Sequence, residues 1–316
     1  MAATIKLKSN KPNNHWISGY EFECLLKEYR NKILSGKKAL TFNIPAKTRL
    51  PLETIVRLLN VSNQFSHRGY KTKLKFHGKD NNAMSYCDRM GLFEHLANEV
   101  IIDPKPPECS RSSMYNNRNN GLSELEIVNS VTLNKELPKK LSDIIISHLK
   151  DVELSERKKL GNIYRTIFSE LTTNIVEHSK TKLDGFVAMQ LYKNGRNPRA
   201  ELIICDSGLG LLETLRPSLK KHNKKYESYS DDNLIVEMLT NGISSKDPIE
   251  GGGNGLETCF RHAKKMNSDL SIRLHDSQYR LFKVSEQESL INALRSTHDM
   301  LPIEGTFICF EIPLFH

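Results

Sequence analysis

The chain has 316 residues, 38% hydrophobic and 26% charged, with a formal net charge of +9. That length admits two domains with a core each. No apolar run approaches the roughly 18 residues of a membrane span, and the stretch Met1–Lys11 lacks the apolar centre of a signal peptide, so the chain reads as cytoplasmic with no membrane partner.

The positive balance suits an anionic partner such as a nucleotide, a nucleic acid or an acidic protein. It is spread along the chain, with clusters at Lys220–Lys225 and Arg261–Lys265, and few aromatics interleave with those bases. Solvated helix faces and a loop explain the clusters better than a nucleic-acid groove does. Cys24, Cys87, Cys109, Cys205, Cys259 and Cys309 show no CxxC spacing, and Cys205 and Cys309 lie inside apolar runs, as reduced and buried thiols do.

In chain order, Ala39–Pro45 reads as a strand and Leu52–Phe65 as a helix carrying Ile55, Leu58, Leu59 and Val61. Lys71–His77 alternates at period two, as a half-buried strand does, and Asn82–Leu96 forms a second helix. Strand, helix, strand, helix predicts an α/β domain with parallel strands over residues 1–102. Residues 103–120 hold three prolines and a Ser/Asn run without periodicity, which predicts a linker or long surface loop.

Beyond it, over residues 121–316, Leu122–Val131, Phe186–Tyr192, Glu201–Cys205, Leu270–Leu274, Tyr279–Val284 and Thr306–Ile312 read as strands. Lys139–Leu149, Arg157–Ser179, Asp231–Leu239 and Gly255–Met266 read as helices, with a long irregular region after Cys205. The order predicts an α/β sandwich, a mostly antiparallel sheet covered by helices on one face.

Within the long helix, Ile163, Ile167, Leu171 and Ile175 form an apolar stripe at about 100° per residue. Glu170, Asn174, Glu177 and His178 fall on or beside that stripe, while Ser169, Thr172 and Lys180 point elsewhere. Polar groups facing a core must be paired, hydrated or holding a ligand, because an unpaired one costs about 1–3 kcal/mol. Asp206 ends an apolar strand and leads into Gly208 and Gly210. Gly251, Gly252, Gly253, Asn254 and Gly255, followed by Leu256, open a helix, and glycines there let backbone amides approach phosphate oxygens at a favourable helix terminus. Lys246 stands just upstream, and Gly305-Thr306 starts the last strand. The glycine run follows no buried strand and precedes no Gly-Lys-Ser/Thr, so it is neither a dinucleotide fingerprint nor a P-loop.

This order of motifs resembles the GHKL superfamily of ATPases and kinases, with its Bergerat-type sandwich, and most closely the anti-sigma-factor serine-kinase branch, whose Asn-x-x-x-His spelling recurs at Asn174 and His178. The resemblance implies that Asn174 holds the magnesium ion bridging the phosphates of ATP, and that Glu170 orients or deprotonates the nucleophile. It implies that Asp206 accepts a hydrogen bond from the adenine amino group, with Thr306 in support. By the same resemblance, residues 211–250 form a lid, and Lys246, His178 and the glycine loop bound the phosphates. Residues 15–100, ending in Tyr86-x-x-x-Met90-Gly-Leu-Phe, resemble STAS domains by layout. The loop that carries an Asp-Ser phosphorylation pair in that family reads Ala46-Lys-Thr48-Arg-Leu-Pro51 here, without the pair.

The expected function is therefore that of a bacterial Mg-ATP-binding regulator that hydrolyses ATP or transfers its γ-phosphoryl group to a serine or threonine of a protein partner, in a branch whose members are commonly homodimers. The alternative is an ATP-gated clamp of the gyrase or MutL type acting on nucleic acid, whose members carry a transducer domain beyond the ATPase module. His148 reads as an ordinary helix-end residue rather than a phosphoacceptor.

Overall fold

The computed structural model describes residues 2–314 apart from 10, 12, 79–80, 116–117, 130–133, 151, 179–180, 195–196, 223, 246–254 and 283–289; the side chains of 175–178, 222, 224 and 291–292 also lie outside the description. The chain divides into two compact units. The first comprises residues 1–119 together with 299–303, and the second residues 120–298 together with 304–316. Together they are mixed α/β, one with a parallel sheet and the other with an antiparallel sheet.

In the first unit β1 (Ala3–Lys6), β2 (Ala39–Ile44), β3 (Lys71–Phe76) and β4 (Ile101–Asp103) form a parallel sheet in sequence order. The crossovers carry α1 (Gly19–Ser35), α2 (Leu52–His67), α3 (Asn82–Arg89) and α4 (Leu92–His95). A right-handed crossover that always steps the same way lays every helix on the same face of the sheet. The burial matches: Ile5, Leu40, Phe42, Ile44, Leu74 and Phe76 are buried, while the residues between them are exposed or intermediate except Thr72, which shares the buried face.

α1 starts at a capping box, in which the Glu21 amide donates to the Ser18 hydroxyl and the Ser18 amide donates back to the Glu21 carboxylate. Sequence reading missed this helix, along with β1 and β4. α2 is buried along its length, and its Arg57 guanidinium lies between Glu23 at 2.6 Å and Glu53 at 2.8 Å. The two carboxylates together compensate a guanidinium that is 2% exposed.

Residues 103–120, expected as a linker or long surface loop, contain two short elements. β4 runs into it at Asp103, and α5 (Arg111–Tyr115) stands inside it. Ser110, Ser112 and Ser113 all donate to Glu94, which fastens that segment to the first unit. Thr48 is buried and its hydroxyl donates to the Leu7 carbonyl at 3.1 Å, so it is committed to holding its loop.

The second unit is built on a seven-stranded sheet. Its strands are β5 (Leu122–Val128), β6 (Gly185–Tyr192), β7 (Arg199–Cys205), β8 (Asp269–Arg273), β9 (Gln278–Leu281), β10 (Leu294–Thr297) and β11 (Phe307–Pro313). They are ordered β10-β9-β8-β11-β7-β6-β5 with every pair antiparallel. The helices are α6 (Leu137–Ile146), α7 (Leu154–His178), α8 (Leu211–His222), α9 (Asp231–Asn241), α10 (Gly255–Lys265) and the single turn α11 (Leu290–Ala293).

Alternate strand residues Val187, Met189, Leu202, Ile204, Ile272, Ile308 and Phe310 share one core with Leu141, Ile145, Ile167, Phe168, Leu171, Leu234 and Cys259 of the helices. Each such side chain contributes about 1.5–3 kcal/mol by leaving water. The region expected to be irregular after Cys205 is instead largely helical, because Leu211, Leu215 and Leu219 repeat at i+4 and Ser230 caps α9. β10 was likewise missed, and Val131 and Val284, the expected ends of two strands, lie outside the described residues. No helix among the described residues is long and apolar enough to cross a membrane.

Candidate functional site

Four separated segments of the second unit converge on one cleft. α7 brings Glu170 and Asn174, the end of β7 brings Asp206 and Gly210, the start of α10 brings Gly255 and Leu256, and the approach to β11 brings Thr306. β7 and β11 are hydrogen-bonded neighbours, with Cys205 opposite Phe307, so Asp206 and Thr306 sit side by side because the sheet register puts them there. The Asp206 amide donates to the Thr306 carbonyl at 2.9 Å and continues that ladder.

The inner cavity encloses about 400 Å³, including its open mouth. Its walls are Leu171, Ile204, Leu211, Leu256 and Ile308, and its polar groups come from Asn174, Asp206, Gly210 and Thr306. Asp206 is 7% exposed. Its Oδ1 accepts the Gly208 amide at 2.7 Å and its Oδ2 accepts the Thr306 amide at 3.2 Å. Burial raises its pKa to about 6, against the lowering effect of those two amides. An ionised carboxylate has about four acceptor sites, so two remain for a donor inside the cavity. Gly305 and Gly210 both adopt positive φ, and a Cβ on Gly305 would collide with the Asp206 carbonyl. Glycine here permits the close approach that fixes the carboxylate.

The outer cavity encloses about 500 Å³ on the same terms and shares Asn174, Leu211 and Leu256 with the inner one. Glu170, Thr214, Leu215, Met238, Ile243, Ser244, Ser245 and Gly255 complete it. A Cβ on Gly255 would stand 2.6 Å from Glu170 Oε2 and 3.5 Å from Asn174 Nδ2, so the first turn of α10 lies directly against both side chains. The N-terminus of a helix brings partial positive charge there. Neither the Glu170 nor the Asn174 side chain has a hydrogen-bond partner among the described residues, so both keep their full polar capacity for whatever occupies the cleft.

The helix face differs from expectation in two residues. Glu170 is exposed at the mouth of the cleft rather than enclosed, and Thr172, expected to point elsewhere, is buried at 2% exposure. The Thr172 hydroxyl donates to the Phe168 carbonyl at 2.8 Å, which satisfies it inside the helix. α8 and α9 supply Leu211, Thr214, Leu215 and Met238 to the wall of the cleft onto which Glu170 opens.

Gly208 serves through its amide on Asp206 and does not line either cavity. Lys246, Gly251, Gly252, Gly253 and Asn254 lie outside the described residues, as do the side chains of Glu177 and His178. His148 follows α6 with its Nδ1 at 2.8 Å from the Ile144 carbonyl, an ordinary helix-end contact. Sequence reading missed Leu211, Thr214, Leu215 and Met238 as cleft residues; the i+4 leucines after Gly210 were the available signal. No family model matches the chain, and no curated protein gives a significant match.

Proposed function

We propose that the second unit binds Mg-ATP in this cleft in the manner of the GHKL superfamily, on a Bergerat-type sandwich, and either hydrolyses it or passes its γ-phosphoryl group to a serine or threonine of a protein partner. The observation that carries the reading is the convergence of Glu170, Asn174, Asp206, Gly210, Gly255, Leu256 and Thr306, from four segments, on two connected cavities.

The residues fit the group. The inner cavity is apolar-walled with one buried carboxylate, which suits a flat base that donates through an amino group. The outer cavity offers an amide, a carboxylate and a helix N-terminus, which suits phosphates and a hard cation that takes few protein ligands. Bound magnesium would neutralise phosphate charge during transfer. Asn174 would hold the ion through its amide oxygen. Glu170, open to the cleft mouth, would orient water or a protein hydroxyl and take its proton. Its exposure suits both nucleophiles, since each must reach it from solvent. The first unit we read as a STAS-like docking domain for the protein partner.

Calorimetric titration of Mg-ATP into the parent and the Asp206→Asn protein tests this reading. The amide would point an N–H₂ group at the adenine amino group, so two donors would meet in a desolvated pocket. Saturable binding by the parent, lost in the variant with a normal melting curve, is expected; equal affinity in both would remove Asp206 from base recognition.

A further inference from the structure

The sheet of the first unit leaves one face without a helix. Parallel sheets are usually covered on both faces. The residues opposite the core fall into rows set by the register. Thr4, Thr41, Lys73 and Ile101 make one row, and Lys6, Asn43, Lys75 and Asp103 the next. Lys71 stands beside Ala39 at one end, and Lys8 and His77 continue past the other. Lys6, Lys8, Lys71, Lys75 and His77 are all exposed, and Lys73 is 34% exposed.

Against these cations the four strands present one acid, Asp103, and it is already bonded to Lys73 at 2.7 Å. The Lys73 hydrogen bond, with Lys75 and His77 nearby, holds the Asp103 carboxyl below its usual range. Five lysines therefore stand on one flat surface with a single carboxylate to offset them.

The composition of the face narrows the partner. It has no arginine, so no rigid planar fork for bidentate pairing with a carboxylate. It has no Phe, Tyr or Trp, and the single imidazole of His77 at its end makes no stacking platform. Ile101 is its one exposed apolar residue, at 52%, which is too little for a protein interface core or for insertion into a lipid surface. What remains is point charge plus Thr and Asn hydrogen bonding. Lys71, Lys73 and Lys75 repeat at about 6.6 Å along one strand, and Lys6 stands about 10 Å across the sheet from Lys75. That pattern matches a chain of regularly spaced anions read without regard to sequence.

We infer that this open face binds the phosphodiester backbone of a nucleic acid, independently of sequence. The inference does not depend on nucleotide binding by the second unit, and its test uses no ATP.

The test is fluorescence anisotropy of the full chain with a labelled 20-nucleotide DNA, single-stranded and duplex, at several salt concentrations. Three proteins are compared: the parent; Lys6→Gln, Lys71→Gln, Lys75→Gln; and a control with the same charge change in the second unit, Lys158→Gln, Lys159→Gln, Lys221→Gln. All six lysines are exposed, so melting temperatures are expected to agree. Each lost phosphate contact removes about 0.7–0.9 from the slope of log K against log salt, so the sheet-face variant should lose roughly 2–3 and bind at least tenfold more weakly at low salt. The control should track the parent. Loss of binding in the control equal to that in the sheet-face variant would reduce the effect to net charge and overturn the proposal. So would failure of the parent to bind either oligonucleotide at low salt, whether or not it binds vesicles containing phosphatidylserine or a polyglutamate peptide.

Discussion

Asp206 carries most of the site's information, and its burial makes a prediction about pH. Its pKa is raised to about 6 in the folded protein, against roughly 3.9 for an aspartate in an unfolded chain. Between those values the folded state holds a proton that the unfolded state has released. Stability contributed by this residue is therefore present below about pH 4 and lost as pH rises through about 6, on the order of 3 kcal/mol in all. Urea denaturation of the parent and of Asp206→Asn from pH 4 to 8 should show the parent losing stability relative to the variant over that window. A constant difference would mean that the carboxylate is not desolvated as described. Glu170 is the other decisive residue. Glu170→Gln keeps the shape of the cleft mouth and removes the carboxylate we propose as base, so Mg-ATP should bind with little change while turnover falls by about 10²–10⁴-fold. Incubating parent and variant with γ-labelled ATP and cell extract reads both outcomes, since label on a protein band marks a kinase and free phosphate alone an ATPase. Turnover by the variant at the parent rate would make α7 a purely structural helix.

At the scale of elements, the segment between the two units has an uneven grip on its surroundings. α5 is fastened by the serines on Glu94 and by Arg89, which donates to the Tyr115 carbonyl at 3.2 Å. Arg118 and its neighbours Asn119 and Asn120 are exposed and follow the helix. Arg111 lies in the first turn of α5 and its amide donates to Asp88, whereas Arg118 is exposed and lies beyond the helix, so brief trypsin treatment should cut after Arg118 before Arg111, as mass spectrometry of the fragments would show. Preferential cutting at Arg111 would mean that α5 does not hold.

The same contrast explains what was legible beforehand. β2, β3, α2 and the strands of the second sheet other than β10 announce themselves by apolar period. Asp206, Gly210, Gly255 and Thr306 could be gathered because each stands at the end or start of such an element. β1 and β4 could not, since each is at most four residues long and lies at a sheet edge, where neighbours rather than propensity decide pairing. α1 was missed although its capping box and its i+4 pattern Phe22, Leu26 were available signals. α8 was obscured by Pro217 inside it and by the basic run at its end, both of which read as loop. The exposure of Glu170 was beyond sequence reasoning, because period alone does not tell a core from a cleft.

At the scale of the molecule, the chain does not run through one unit and then the other. Residues 299–303 belong to the first unit, where Met300, Leu301 and Ile303 are buried and the carbonyls of Met300 and Pro302 accept from Arg30 and Arg68. Only then does the chain enter β11, the strand that supports Thr306 and the Asp206 ladder. After cleavage at Arg118 the two fragments should therefore stay together on gel filtration in native buffer and separate in denaturant. Separation without denaturant would show that the returning segment contributes little.

The central claim is that the inner cavity recognises adenine through a carboxylate that accepts from its amino group. Competition of ATP against inosine triphosphate, measured by calorimetry at pH 8 with magnesium in excess, tests it most directly, because the two differ where the base meets Asp206. An acceptor replacing the amino group would face an ionised carboxylate in a desolvated pocket, and a site built around such a hydrogen bond rejects the analogue lacking it by several orders of magnitude, up to about 10⁴-fold. At least a hundredfold preference for ATP is the result expected; equal affinities would contradict the account.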